Sequence, residues 1–357
     1  MSNTLAAVTL IGQKHKNREV PCEDSSIAVS ANGVDVVVVC DGAGSKQYTH
    51  AKLGSQAAVD AISKLFIEHF DAIYNENREA AIKSLIIATI HVKFAELMQK
   101  HSLDSIERLS CTLLFTAVKD RRVIVGHLGD GLIARISATG ASPFTMPQND
   151  KAGHTYFVTA NHAADYMRLV KTTTDDIHAI ALMTDGVQDS VYNEDSGLVK
   201  PVVARMAETL SSGRENAEKE LTGIISKYIV GGSNNSDDSS FGVIYFDKTS
   251  APDTKAMKSS ADAFPRCDET FQELQASMVD DVKNARKIMM EAAGKNPVAT
   301  PAPVKKPEQT EKSDKSATTV KKTAKTKKSI LTKLLYFVAI VELIIIIALI
   351  YKIFFLK

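Results

Sequence analysis

Cysteine is scarce in this chain, and its few copies stand apart. Cys22, Cys40, Cys111 and Cys267 are the four in 357 residues, and none forms a C-x-x-C pair. That spacing argues against a structural zinc site. It suits reduced thiols in a cytosolic domain. No cysteine has an arginine six residues later; Cys40 has Lys46 there. A cysteine–arginine phosphate loop is therefore excluded. No G-x-x-x-x-G-K-[ST] stretch exists, so Gly42-Ala43-Gly44-Ser45-Lys46 is not a Walker loop, and there is no H-E-x-x-H. Charge of either sign is in little excess. The formal net charge of +1 gives no global reason to expect nucleic-acid binding. Met1 to Ile11 lacks a basic n-region and has too short an apolar run, so no signal peptide is expected.

What the chain does have is a globular composition, 44% apolar and 24% charged. It also has a repeated grammar of strand-like runs beside aspartate. Val34–Cys40 runs into Asp41-Gly42, and Arg122–Leu128 into Gly129-Asp130-Gly131. Ile177–Thr184 runs into Asp185-Gly186, and Asp237-Asp238 stands just before Phe241–Phe246. Glu23-Asp24 precedes the apolar run Ile27-Ala28-Val29. Strands can bring such distant residues to one sheet edge. Carboxylates gathered there repel one another unless cations neutralise them. The simplest reading is a site for hard divalent cations with oxygen ligands. Two metals about 3.5–4 Å apart activate a water and clamp a phosphoryl group. Asp41 at a strand end can bridge, and Gly42, without a side chain, lets its carbonyl approach a metal. Each Asp-Gly alone reads equally well as a hairpin turn; the case rests on the ordered set.

Helical periodicity predicts helices over Ala51–Phe70, Glu79–Lys100, Val202–Leu210 and Glu215–Tyr228. They come in pairs between groups of strands. That favours an α+β domain of antiparallel sheets covered by helix pairs, over residues 1–250. Ser142–Thr174 reads as an irregular insertion, either a substrate flap or a surface loop. Residues 251–293 form a helical extension. Its apolar stripe, Phe271, Leu274, Met278, Val282, Ala285, Ile288 and Met289, would pack on the domain or dimerise. Residues 294–329, rich in Pro, Lys, Thr and Ala, read as a disordered linker.

Residues 330–356 read as a single transmembrane helix, since Leu334–Ile350 is almost wholly apolar. Lys321, Lys322, Lys325, Lys327, Lys328 and Lys333 before it place the catalytic domain on the cytoplasmic side of a membrane. Glu342 within the run would pair with a partner helix or enter protonated without a role.

The ordered acids resemble the metal-dependent serine/threonine phosphatases of the PP2C type, in a bacterial-like branch with Asp-Gly-Ala-Gly-Ser. The resemblance runs through Gly12, Glu23-Asp24, Asp41-Gly42-Ala43-Gly44-Ser45, Ser110-Cys111-Thr112, Gly129-Asp130-Gly131, Thr184-Asp185-Gly186 and Asp237-Asp238. It implies an α-β-β-α sandwich of two antiparallel sheets, with two or three Mg²⁺ or Mn²⁺ ions at one end. It implies Asp41 bridging two metals, the Gly42 carbonyl on one, and Asp185 and Asp237 on the first. Glu23 would serve the second metal and Asp130 a weaker third, with the neighbouring Asp24 and Asp238 counted among the metal residues. The catalytic set would be Asp41, Asp185, His15 and Arg18. The partners would be phosphorylated proteins, a serine/threonine kinase or its substrates among them.

Two departures stand out. The family's usual Asp-Gly-His-Gly has Ala43 in place of histidine, the usual proton donor to the leaving group. The usual phosphate-binding arginine is replaced by Glu19, with Arg18 the nearest arginine. His15 or His50 could substitute, or be ordinary surface histidines. The expected function is a membrane-tethered phosphatase acting on phosphoserine and phosphothreonine. The alternative is a weak pseudophosphatase that senses or scaffolds phosphoproteins.

Overall fold

A computed structural model describes residues 3–149, 154–234, 236–246 and 269–295. The chain divides into two compact units, Met1–Val298 and Ala299–Lys357, and all described residues lie in the first.

Valine repetition in β3 (Val34–Cys40) shows how the layers form. β-branched residues suit a pleated strand, and successive side chains alternate between faces. Val34, Val36, Val38 and Cys40 face one core, while Val37 and Val39 face another. Both faces are apolar, so the strand is central and covered on both sides. Asn32-Gly33, both at positive φ, turns β2 (Ser25–Ala31) into β3, as a two-residue hairpin requires.

One sheet runs in the order β2, β3, β4 (Leu113–Lys119), β5 (Arg122–Leu128), β8 (Arg168–Thr173). The other runs β1 (Thr4–Leu10), β12 (Ser239–Tyr245), β9 (Ala179–Met183), β6 (Leu132–Ser137), β7 (Gly140–Thr145). Every neighbouring pair is antiparallel. Val37, Val39, Leu114, Val125, Ile133, Ile180, Leu182 and Ile244 fill the space between the sheets. Outside the first sheet lie α2 (Ala51–Asn75) and α3 (Glu79–His101), which bury Ile62, Phe66, Ile86, Ile90 and Phe94. A short α1 (Gln13–Arg18) follows β1, and α4 (Ala163–Tyr166) precedes β8. Outside the second sheet lie α5 (Asp185–Val191), α6 (Val202–Glu208) and α7 (Arg214–Ile224), with a hairpin of β10 (Tyr192–Asn193) and β11 (Leu198–Val199). The expected two antiparallel sheets with helices on both faces are present.

Two expectations need revision, and one left open is decided. Ser142–Thr174 is less irregular than its composition suggests: its ends form β7 and β8, the edge strands of the two sheets. Pro143 is tolerated there because an edge strand has N–H groups to spare. The extension folds as α8 (Glu269–Ser277) and α9 (Val279–Lys295), and its stripe packs on the domain, with Phe271, Leu274 and Ala285 buried. Finally, the expected single-pass membrane location is not borne out. Among the described residues no helix is long and apolar enough to cross a membrane. Leu334–Ile350, Glu342 and the lysine-rich linker lie outside the described residues.

Candidate active site

Strand register explains why the acids meet. Cys40 pairs with Ser25, so Asp41, just past β3, lies across from Glu23 and Asp24, just before β2. Leu113 pairs with Leu128, so Gly129 and Asp130 lie across from Thr112, whose N–H donates to the Asp41 carbonyl at 2.8 Å. In the second sheet Met183 pairs with both Leu132 and Phe241. The segment after β9 (Thr184, Asp185), the segment before β6 (Asp130, Gly131) and the segment before β12 (Asp237, Asp238) therefore share one end. Leu10 pairs with Ser239, which brings the start of α1 to the same place.

Neither Asp41-Gly42 nor Asp185-Gly186 is a hairpin turn. Asp185-Gly186 opens α5, and Gly42 forms a bridge to Cys111. Both glycines are needed for close approach. A Cβ on Gly42 would stand 2.5 Å from the Glu23 carbonyl oxygen, and one on Gly186 would stand 1.9 Å from that of Asp238.

Burial and mutual repulsion govern the ring. Asp41 is held well above the usual carboxylate range, first by burial and then by the charges of Asp185, Asp24 and Asp130. Asp24 is pushed up by burial, then by Asp185 and Asp238, against hydrogen bonds with Thr184 and Asp41. The Thr184 hydroxyl donates to Asp24 Oδ2 at 2.8 Å. Asp185 is pushed up to about 7 by burial, then by Asp130, Asp237 and Asp189. Burial also raises Asp130, whose Oδ2 accepts from the Thr155 hydroxyl. Glu23 is raised by burial, an effect partly offset by His15.

Asp238 has a different place. Its Oδ1 accepts the Gly12 N–H at 2.8 Å and its Oδ2 the Glu23 N–H at 2.6 Å. It ties α1 and the Glu23 loop together. His15 is buried, 3% exposed. Its Nδ1 lies 2.7 Å from Asp238 Oδ2. Its Nε2 stands 3.6 Å from Asp237 Oδ1 and 3.7 Å from Glu23 Oε2. It is therefore no surface histidine, and it faces Gly44, one residue beyond Ala43. His50 instead bonds Thr49 and lies against His101. Arg18 is exposed in the last turn of α1, and no ion pair joins it to the ring among the described residues.

Three contributors were given no role in the sequence analysis, although Thr184 and Asp189 fall within the run that carries the resemblance. Asp189 follows Asp185 by four residues on α5, a helical spacing that puts both on one face. Thr184 bonds both Asp24 and the Ser240 N–H. Lys14 reaches Asp237 Oδ2 at 2.6 Å. Lys14 alone of the three had no signal in the sequence.

Among the described residues, no three His, Cys, Asp or Glu side chains stand closed up as a finished metal-ligand group. The carboxylates are nevertheless within charge–charge reach, and Asp24 and Asp41 share a hydrogen bond. The donor set fits a hard divalent cation in two respects. Asp24 Oδ1 and Asp130 Oδ1 are buried without a hydrogen-bond partner. The raised affinity of Asp24, Asp41, Asp130 and Asp185 for protons is an unmet demand for positive charge that a cation would meet.

A family model described as Protein phosphatase 2C matches residues 11–226, more than half of the chain. Among solved structures, a bacterial serine phosphatase carrying an arginine-to-lysine substitution is similar at 14% identity and a TM-score of 0.50. The match covers 70% of this chain and 100% of that one. The serine/threonine phosphatase Stp1 from Staphylococcus aureus is 16% identical over 69% of this chain and 96% of its own, with a TM-score of 0.47. The catalytic domain of the serine threonine protein phosphatase PstP, solved with two manganese ions, is 15% identical over 68% and 99%, with a TM-score of 0.46. No curated protein matches the chain. The matched stretch spans Glu23, Asp41, Asp130 and Asp185, four acids of the ring, and the chain belongs to the protein phosphatase 2C family.

Proposed function

We propose that this protein hydrolyses phosphoserine and phosphothreonine esters in proteins, with Mg²⁺ or Mn²⁺ held by the acid ring. The observation that carries the reading is the burial of Asp24, Asp41, Asp130 and Asp185 in mutual repulsion at one end of both sheets. Uncompensated buried charge is costly, and a cation among these carboxylates would offset that cost. Asp41, the Gly42 carbonyl, Asp185 and Asp237 would hold the ions, with Glu23 and Asp130 at their flanks. When bound, such ions make water nucleophilic near neutral pH and neutralise phosphoryl charge.

The chain's own groups have distinct tasks. Asp238, with both oxygens committed to backbone N–H groups, fixes Glu23 and the start of α1 and sets the orientation of His15. His15 Nε2 lies beside Gly44 and takes the place of the histidine missing at Ala43. As water attacks phosphorus, the bond from phosphorus to the serine or threonine oxygen breaks. That oxygen takes a proton from His15, and the proton shed by the attacking water returns to the histidine through solvent. Asp24 shares a hydrogen bond with Asp41 and is itself held by the Thr184 hydroxyl. Arg18, exposed on α1, has no role in this scheme.

Ala43 and the exposed Arg18 favour a second reading, a phosphoprotein-binding scaffold without turnover. Phosphate release from a phosphoserine peptide by the full-length protein, with and without Mn²⁺, separates the two. The proposal expects release only with the metal, and binding without release would establish the scaffold.

A further inference from the structure

We propose that Lys14 is a cation built into the acid ring. Its ammonium holds Asp237 while no divalent ion does, and passes to the substrate phosphate once one arrives. This rests on the reading of the ring as a divalent-cation site.

Lys14 Nζ lies 2.6 Å from Asp237 Oδ2, with the two side chains 28% and 36% exposed. Among the described residues it is the one lysine or arginine in an ion pair with the ring. The pairing is imposed by backbone register and not by a wandering side chain. Lys14 N donates to the Ser236 carbonyl at 3.0 Å, and Gln13 N to Ser236 Oγ at 3.2 Å. Gly12 N donates to Asp238 Oδ1, and a Cβ on Gly12 would stand 2.3 Å from the Asp237 carbonyl carbon. The first turn of α1 is therefore fastened to the segment that carries Asp237, and Lys14 cannot drift away from it.

A single ammonium beside these acids does part of a divalent cation's work. It neutralises Asp237, and its charge also reaches Glu23. A divalent ion at Asp237 brings twice the charge to the same oxygen and repels the ammonium. Lysine suits such an exchange. It is a compact charge on a flexible four-carbon stem, free to swing without backbone movement. Displaced from Asp237, Nζ stays tethered at the mouth of the site, where a phosphoryl group is the strongest anion to replace the lost partner. The usual arginine position is occupied by Glu19, which lies exposed at the C-terminal cap of α1 at positive φ. The basic group at the ring comes instead from the first turn of the same helix.

The test is calorimetric titration of metal-free, full-length protein with Mn²⁺, comparing wild type with Lys14→Met and Lys14→Gln. Two variants guard against a folding defect in one. Each variant should bind Mn²⁺ about two- to fivefold more tightly, the size expected when a partly exposed ion pair no longer competes. Loaded with Mn²⁺, each should bind inorganic phosphate at least fivefold more weakly, and Lys14→Arg should restore phosphate binding. Unchanged or weaker Mn²⁺ binding in the variants overturns the proposal, as does unchanged phosphate binding. If wild-type protein takes up no Mn²⁺ at all, the cation reading of the ring fails first, and that result is distinct from either of these.

Discussion

His15 Nδ1 stands 2.7 Å from Asp238 Oδ2, and the same carboxylate oxygen accepts the Glu23 N–H at 2.6 Å. One buried aspartate therefore holds the glutamate's backbone and stands against the histidine ring. The opposite ring nitrogen is left toward Glu23 and Asp237, where a leaving group would depart.

If His15 protonates the leaving group, His15→Gln should lower kcat on a phosphoserine peptide about 10²–10⁴-fold with KM little changed. An aryl phosphate, whose phenolate leaves without a proton, should lose far less. Steady-state kinetics on both substrates checks this. Equal losses on the two would assign His15 a structural role.

Asp238→Asn should cost about 2 kcal/mol, because a charged acceptor of two backbone N–H groups is replaced by a neutral one at a buried position. It should also lower kcat, since Glu23 and His15 both lose their guide. Urea denaturation and phosphopeptide kinetics measure the two effects separately.

Asp185 ties stability to pH. Its carboxyl is pushed from 3.8 up to about 7 in the fold. Between those values the folded protein keeps a proton that the unfolded chain releases. The stabilisation from this group is therefore complete below the ordinary carboxylate value and lost as pH rises through about 7. The melting temperature of metal-free protein should fall between pH 5.5 and 8, at about 2–4 °C per kcal/mol for a domain of this size. Asp185→Asn should make that fall shallower and raise the melting temperature at pH 8, while abolishing turnover. A gain in stability with a loss of function is the expected signature of a strained site. Differential scanning calorimetry in chelator across this range checks it.

The helical extension carries its own consequence. Phe271 is fully buried in the core that α2 and α3 share with α8 and α9. Phe271→Ala should cost about 3–5 kcal/mol. A chain ending at residue 250 should melt well below one ending at residue 298. Equal melting temperatures would show that α8 and α9 add nothing to the catalytic unit.

Much of this was legible in the sequence because strand ends carry the acids. Val34–Cys40 announces a buried strand by its valines and Ile177–Thr184 by its apolar run, and an aspartate after each marks the same end of two sheets. Periodicity also located the four main helices, since each has a broad apolar face. Other features depend on tertiary placement and left no local trace. The resemblance put His15 in the catalytic set, but its burial against Asp238 follows only from β1 pairing with β12 and bringing α1 there. Lys14 gained its partner through the same pairing. Asp238 reads as a twin of Asp237, yet it is turned to backbone N–H groups, a difference set by side-chain direction alone. Ser142–Thr174 concealed two edge strands because edge positions tolerate proline and polar residues that central strands do not.

The most direct test of the account is Mn²⁺-dependent hydrolysis of a phosphoserine peptide by full-length protein, alongside Asp41→Asn and Asp185→Asn. The account predicts release of phosphate that starts with added Mn²⁺, stops with chelator, and falls by at least 10³-fold in either variant. It also predicts that thiol alkylation leaves the rate unchanged, since the ring acts without a cysteine nucleophile. Release that proceeds in chelator, or that survives both substitutions, would contradict it.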